Sequence, residues 1–454
     1  MKYKSEKSLF CSWTKVFEII RKLVQAKLFN NFIYSFGSTV GVRLLSLAAN
    51  ILIANTYGKE TFGQWSIFLG ITMAVMQLAI PNLASIVVCQ IAQLREKDLK
   101  ECSEMLGFLS LLVLSASIFA SGSNFFFADE IAQIFGDGEN LGSTLRWFSL
   151  PLFLLIITSF FRSSMIALEG FKHSCIADLT QPIVFLMCVY LFDSSEIEVL
   201  KSLILGFSLS LFVCLIISVW MSNRLFRKYK IAYSFRVKKS HFSVLWYFCM
   251  PGLFAASARG PVDIYTKSRL TRLDSGWGGL GGVQAALNLY MFVAFIPMII
   301  CRVTEPKLNR LKIGGDYQGL KRLLIKSGGA ALLIAIGMSF FVGLFGKWML
   351  GLYGEGFVQY YPVLLLLLIV GCVESIDNAI QGIYAVFSKM WIKTGNLVVS
   401  SLIFLLLAPC LIRNFDISGY VYALLVARLF STAVTISITF LALKNSNIKD
   451  DEFE

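Results

Sequence analysis

Residues 199–239 read VLKSLILGFSLSLFVCLIISVWMSNRLFRKYKIAYSFRVKK. The first part, 199–222, is apolar apart from Lys201. As a helix rising 1.5 Å per residue it is long enough to cross a hydrocarbon core of roughly 30 Å. The run then stops at 224–239, where seven Lys and Arg fall with no Asp or Glu among them. A membrane span ending in a basic cluster marks the cytoplasmic side. This segment therefore predicts a helix that spans the bilayer and leaves it into a basic cytoplasmic loop.

The same pattern extends in both directions. The chain has 454 residues, 56% hydrophobic and only 15% charged, with a mean hydropathy of +0.70. Soluble domains average roughly 45–50% apolar and about 25% charged. Apolar runs predict spans at 32–55, 62–92, 105–126, 145–168, 174–192 and 199–222, then at 243–266, 281–302, 323–345, 359–385, 395–412 and 419–442. Pro81 should kink the long second run. The expected fold class is all-α integral membrane, with about twelve transmembrane helices in two six-helix bundles, 31–222 and 243–443. A basic loop at 223–242 divides them.

Lys and Arg placement sets the orientation. With the amino terminus inside, 29 of the 41 Lys and Arg fall on the cytoplasmic side and 8 outside, the remaining four lying within spans. Both termini are therefore expected in the cytoplasm, with 444–454 as a short tail. Residues 1–30 are basic, and Val16, Phe17, Ile20, Leu23 and Val24 fall at helical spacing. They read either as an amphipathic helix lying in the membrane surface or as a solvated tail. They do not have the apolar core of a cleavable signal.

The net charge of +13 follows from this arrangement. Basic residues line the inner membrane surface, as anionic lipids and insertion require, and no nucleic-acid partner is implied. The ten cysteines are scattered, without a CxxC or a His/Cys cluster, and the two histidines lie at predicted helix ends. No metal or other cofactor is expected. The sequence also has no Walker loop, GxSxG elbow or HExxH, so neither direct use of ATP nor an enzyme is implied.

Chemistry is instead expected at charges inside spans, which are costly and usually face a cavity or a partner. Arg43 falls mid-span in the first helix and Arg428 near the middle of the twelfth. Arg259 lies in the seventh, and Arg162 sits close enough to a span end to snorkel. In the seventh span Arg259, Asp263 and Lys267 follow at i, i+4 and i+8 on one face, with Pro261 between the first two. They form either an intrahelical ion pair or a polar stripe lining a cavity that opens outward towards Arg269 and Arg272. In the tenth span Glu374, Asp377 and Gln381 share a face. Carboxylates at that depth are either salt-bridged to Arg43, Arg259 or Arg428, or serve as a proton or cation site coupled to transport. The interior is thus amphoteric with cationic groups slightly ahead, which suits a phosphate or pyrophosphate.

Several local patterns carry a family resemblance. They are YGKETFGQWS (57–66), ALEGFKHSCIAD (167–178), Asp263, FIPMIICRVTEPKLNRL (295–311) with Pro306, and WMLGLYGEGF (348–357). Together, from about residue 31 to 443, the chain resembles the Wzx-type oligosaccharide flippases of the multidrug/oligosaccharidyl-lipid/polysaccharide exporter superfamily. Asn82-Leu83 departs from the family's more usual Gly-Leu. The resemblance implies a MATE-like exporter fold in a bacterial inner membrane. It implies flipping of undecaprenyl-pyrophosphate-linked oligosaccharide repeat units by alternating access, for O-antigen or capsule assembly. Membrane lipids, a polysaccharide polymerase and a chain-length regulator would be the partners. On position and charge, Arg43, Arg259, Lys267, Arg269 and Arg428 are the expected substrate-binding cations. Asp263, Glu374 and Asp377 are expected to compensate charge or couple an ion gradient.

Three other readings remain. A multidrug exporter of the same superfamily would want an acidic cavity. An O-antigen polymerase or ligase would carry a large outer loop, and no outer loop here exceeds about 20 residues. An uncoupled lipid scramblase stays open.

Overall fold

The computed structural model describes residues 27–135, 138–191, 199–387 and 389–450. The expected amphipathic segment at 1–30 lies almost wholly outside them, as do residues 451–454 of the tail. Helix dominates throughout, because a backbone in lipid has no water to bond and must satisfy its own N–H and C=O groups. The first helical segment, Lys27–Ala79, turns at Gly58 (φ 81°) into two legs, α1 (27–57) and α2 (59–79). Left-handed φ at that corner suits a residue without a Cβ.

The chain then breaks at Ile80–Asn82 and resumes as α3 (Leu83–Lys97). Pro81 accounts for the break, and Asn82 holds φ 58° at its end. That is the position where the resembled family more often carries glycine, and asparagine is among the side chains that tolerate this conformation best. Next come α4 (Leu99–Phe126), the short α5 (Ala128–Ile134) and α6 (Gly138–Trp147), then α7 (Ser149–Ala167), α8 (Phe171–Leu191) and α9 (Val199–Lys228). The second half holds α10 (Lys239–Leu270), α11 (Gly276–Ile313), α12 (Tyr317–Gly351), α13 (Tyr361–Ile380) and α14 (Gly382–Val386). The last segment, Met390–Asp450, turns at Phe415 and Asp416 into α15 (390–414) and α16 (417–450).

Among the described residues nine segments are long and apolar enough to cross a membrane. Two of these, Ile33–Ala79 and Met390–Leu441, each contain a corner and so contribute two crossings. Helix α10 is not among the nine: Arg259, Asp263, Lys267 and Arg269 crowd its second half. With it the crossings number twelve. Apolar runs located these spans but ended them early, because helix continues through polar residues such as Tyr57, Lys59 and Glu60. Likewise α9 runs on to Lys228, so the segment between the halves is only residues 229–238.

In the first half α1 and α2 pack on α8, α8 and α7 on α9, and α3 and α4 on α7. In the second, α10 packs on α15 and α16, and α11, α12 and α13 pack on one another. The α1–α2 pair meets α10 and α11 across the middle. Hydrophobic burial is unevenly distributed along this interface. One core runs through both halves at the end bearing the Gly58 corner, joining Trp65, Phe68, Phe148 and Phe207 to Leu280, Tyr353 and Leu364. At the opposite end each half has its own core, around Ile86, Leu106 and Phe160 in the first and Leu308, Leu320 and Tyr384 in the second.

Aromatic and backbone contacts seal the corner end. Phe62 packs on Tyr353 and Phe357 at 5.7 and 6.1 Å, and Phe135 stacks on Trp277 at 5.9 Å. Arg272 donates to the Ile134 carbonyl at 2.9 Å. Helices α2 and α11 touch backbone to backbone: a Cβ on Gly63 would lie 2.2 Å from the Trp277 oxygen, and one on Gly281 2.1 Å from the Lys59 oxygen. The glycines of the two halves thus meet face to face.

Candidate functional site

Three cavities bordered by described residues lie along or beside the interface. The largest, about 420 Å³, is walled by α1, α2 and α11 and includes Arg43, Asn50, Trp65, Gln284 and Asn288, with Lys267 reaching in from α10. A second, about 380 Å³, lies towards the opposite end between the Pro81 break and α10, and includes Asn82, Ser159, Gly252 and Arg259. The third, about 100 Å³, is inside the second half among α10, α15 and α16, bordered by Arg259, Asp263, Tyr420 and Arg428. Arg259 borders both of the latter two.

Helix α10 carries its charges along one face, and the spacing allows Asp263 either neighbour. Asp263 pairs with Lys267 at 2.9 Å, not with Arg259. The Arg259 side chain is exposed to the cavity space, and Arg428, Glu374, Asp263 and Tyr420 surround it. Among the described residues it makes no ion pair and no hydrogen bond. Of the two sequence readings of this helix, the intrahelical Arg259–Asp263 pair does not form. Gly260 lets α10 approach Ala74 of α2, where a Cβ would come to 3.0 Å, so the stripe lies close against the first half.

The acidic side of the site belongs to α13. Glu374 takes the Tyr290 hydroxyl of α11 and pairs with Arg428 of α16 at 3.4 Å. A single carboxylate therefore ties three helices and neutralises one of the mid-membrane arginines. Asp377, one turn further along, lies near Arg428, Thr435 and Lys393 and leaves its Oδ1 without a hydrogen-bond partner. Gln381 turns back onto Asn378 at 3.0 Å. Thr435 also receives Tyr384 at 3.0 Å, and Asn396 donates to Ser431 at 3.1 Å, so a polar seam continues between α13, α15 and α16.

The other predicted cations disperse. Arg43 lies over the Phe295 ring at 4.6 Å and faces the largest cavity. Arg269 folds onto Tyr265, 4.9 Å from its ring, and Arg272 is held at the corner-end seal. The outward-opening stripe through Arg269 and Arg272 is thus interrupted there. Arg162 pairs with Asp178 between α7 and α8, which explains it structurally. Composition did not single out Tyr290, Tyr420, Asn396, Trp65 or Asn288. Each is an ordinary residue of an amphiphilic span, and only its neighbours in space make it a site residue.

No protein-family model matches the sequence, nor does any curated protein. Solved structures match the fold. The inward-facing conformation of a multidrug resistance MATE family transporter of the MOP superfamily superposes with a TM-score of 0.79 at 12% identity, over 89% of this chain and 95% of that one. An outward-facing conformation of such a transporter gives 0.69 at 13% identity, over 92% and 95%. A MOP superfamily transporter from Pyrococcus furiosus, described as having a binding pocket whose reverse polarity suggests a different function, gives 0.64 at 12% identity, over 93% and 95%. The chain is a multi-pass helical membrane protein whose fold is that of the solved MATE family transporters.

Proposed function

We propose that this protein is an alternating-access transporter that passes undecaprenyl-pyrophosphate-linked oligosaccharide repeat units across a bacterial inner membrane, for O-antigen or capsule assembly. One observation carries the reading: Arg259 presents a guanidinium, with no ion pair among the described residues, to cavities on either side of it, while Lys267 and Arg428 occupy the nearby carboxylates. A cation of this kind, facing cavity space within the membrane, calls for an anion, and a guanidinium bonds pyrophosphate oxygens with two parallel donors. The lipid tail would stay in the bilayer beside the helices while the polar head crosses between the halves.

The carboxylates fit charge compensation. An incoming diphosphate competes with Glu374 for Arg428, and the released Glu374 can then take a proton or cation. Rocking of the halves would part the corner-end seal. A polymerase and a chain-length regulator would act on the cargo after it crosses.

The test is complementation of a flippase-deficient strain. Arg259→Gln, at normal membrane levels, should abolish surface polysaccharide, and Arg259→Lys should retain part of it. The charge-assisted bonds at stake are worth about 1.5–3 kcal/mol, roughly 10- to 150-fold in affinity. Full surface display from Arg259→Gln would overturn the assignment. The multidrug reading is favoured by the fold neighbours; dye resistance without polysaccharide rescue would support it instead.

A further inference from the structure

Helix α9 turns one face to lipid along most of its length. Leu205, Leu209, Phe212, Ile216 and Trp220 recur at helical spacing, and all are exposed. The same face continues through Arg224 and Lys228, one and two turns beyond Trp220, and both are exposed. There α9 ends beside the start of α8, at the end of the molecule opposite the Gly58 corner. The approach is close: a Cβ on Gly170, the residue before α8, would lie 2.4 Å from Leu225. This contact brings Lys172 and His173 of α8 to Arg224 and Lys228. One turn deeper on α8, Ile176 is exposed as well.

No carboxylate of either helix answers these cations. Every charged group acting on His173 is a cation, namely Lys172, Lys228 and Arg224. Helix α9 has no Asp or Glu, and the one acid of α8, Asp178, pairs with Arg162. Glu169, in the turn before α8, pairs with Arg95 at 3.3 Å. Among the described residues Lys172, Arg224 and Lys228 make no ion pair. Arg224 lies over the Trp220 ring at 4.3 Å, which orders the guanidinium and leaves its in-plane donors to an outside acceptor. Orientation by charge accounts for basic residues at this end, but not for their convergence from two helices.

We propose that the ends of α8 and α9 form a binding site for one anionic phospholipid. Its headgroup phosphate is taken by Arg224, Lys228 and Lys172, and an acyl chain lies along Trp220, Ile216 and Ile176. The match is one of charge and polarity: cations at headgroup level, then a ring that favours the interface, then bare apolar side chains. The proposal requires only that these helices span a bilayer, and it stands apart from the flippase reading.

Full-length protein in a neutral detergent is titrated with phosphatidylglycerol and, separately, with phosphatidylcholine, whose choline would meet the same cations. Bound lipids are counted by native mass spectrometry. Wild type should bind its first phosphatidylglycerol about tenfold more tightly than its first phosphatidylcholine. Arg224→Gln/Lys228→Gln should remove most of that preference and leave phosphatidylcholine binding unchanged. Lys100→Gln/Arg236→Gln removes two cations beside Glu104 at the same end of the molecule and should leave the preference intact. Equal binding of the two lipids by wild type overturns the proposal, and that comparison needs no variant. So does a preference that survives Arg224→Gln/Lys228→Gln, or one lost equally in both double variants, which would mean diffuse attraction to surface charge. Inorganic phosphate and farnesyl diphosphate, each at matched concentration, should displace little phosphatidylglycerol. Displacement by inorganic phosphate would mark a free-anion site, and displacement by farnesyl diphosphate a docking place for prenyl diphosphates; either overturns the phospholipid assignment.

Discussion

Replacing Gly281 with alanine tests whether the glycine contact between α2 and α11 holds the observed conformation together. The added Cβ would sit 2.1 Å from the Lys59 carbonyl oxygen and 3.1 Å from its carbon, where ordinary contact begins near 3.4 Å. Both atoms are backbone, so no side chain can swing aside. The helices must part by about 1.3 Å, and the reciprocal contact of Gly63 with Trp277 parts with them. Overpacking of this kind costs about 1–3 kcal/mol. The strain is present only while the corner end is closed, so the penalty becomes a population shift of roughly 5- to 150-fold towards the form open at that end. Gly278→Ala is the control: its Cβ meets Lys59 side-chain atoms at 3.0–3.2 Å, and a flexible side chain can yield. Spin labels on Glu130→Cys and Asp274→Cys, both exposed, straddle the seal in a background without the ten native cysteines. Pulsed distance measurements should show a longer separation growing in Gly281→Ala and not in Gly278→Ala. A folded Gly281→Ala protein with the wild-type distance distribution would refute the reasoning.

Other outcomes follow from single contacts. Residues 229–238 are fastened to α4, with Lys238 paired to Glu104, the Ala232 N–H on Ser103 Oγ at 3.3 Å and the Ser234 N–H on the Ser103 carbonyl at 3.2 Å. Lys238→Met should raise hydrogen exchange at Ala232 and Ser234 and speed tryptic cleavage at Arg236; unchanged exchange would show that the ion pair does not hold this segment. The hydrogen bond to Glu104 holds the Lys238 ammonium above its usual range. The fastening is therefore complete at neutral pH; it is lost as pH rises through the elevated lysine value, and at acid pH once the Glu104 carboxylate takes a proton. Exchange at these amides should accordingly stay flat between pH 6 and 9 after correction for the intrinsic rate. At the α15–α16 corner Asp416 adopts φ 49°, ψ −136°, a region glycine occupies freely. Asp416→Gly should stabilise the protein by about 1 kcal/mol and raise its Tm in detergent, and a lower Tm would count against strain there.

Much of the architecture was legible in the chain. The number of crossings follows from apolar length, since a helix that hides its backbone in lipid must have an apolar surface. Pro81 marked its break by lacking an N–H and forcing its neighbour's conformation. Other features were not legible. No local rule makes Asp263 choose Lys267 over Arg259, because both lie one turn away on the same face, and the surroundings of α10 decide. Glu374 and Arg428 are 54 positions apart, and only the packing of α13 against α16 brings them within 3.4 Å. The glycines of YGKETFGQWS (57–66) and of GWGGLGG (276–282) stand in opposite halves of the chain. In space they touch.

The sequence alone thus determined the solvent of each segment, the helical fold and which costly charges the membrane must accommodate. Those properties depend on transfer of individual residues between water and lipid, and local composition measures them. Tertiary structure decided which charges cancel and which remain. Among the described residues it left Arg259 facing cavities without an ion pair, gave Glu374 to Arg428, and buried the Trp65 indole without an acceptor. Pairing depends on distances of a few ångströms between residues far apart in the chain, and only the packing of one helix on another fixes those.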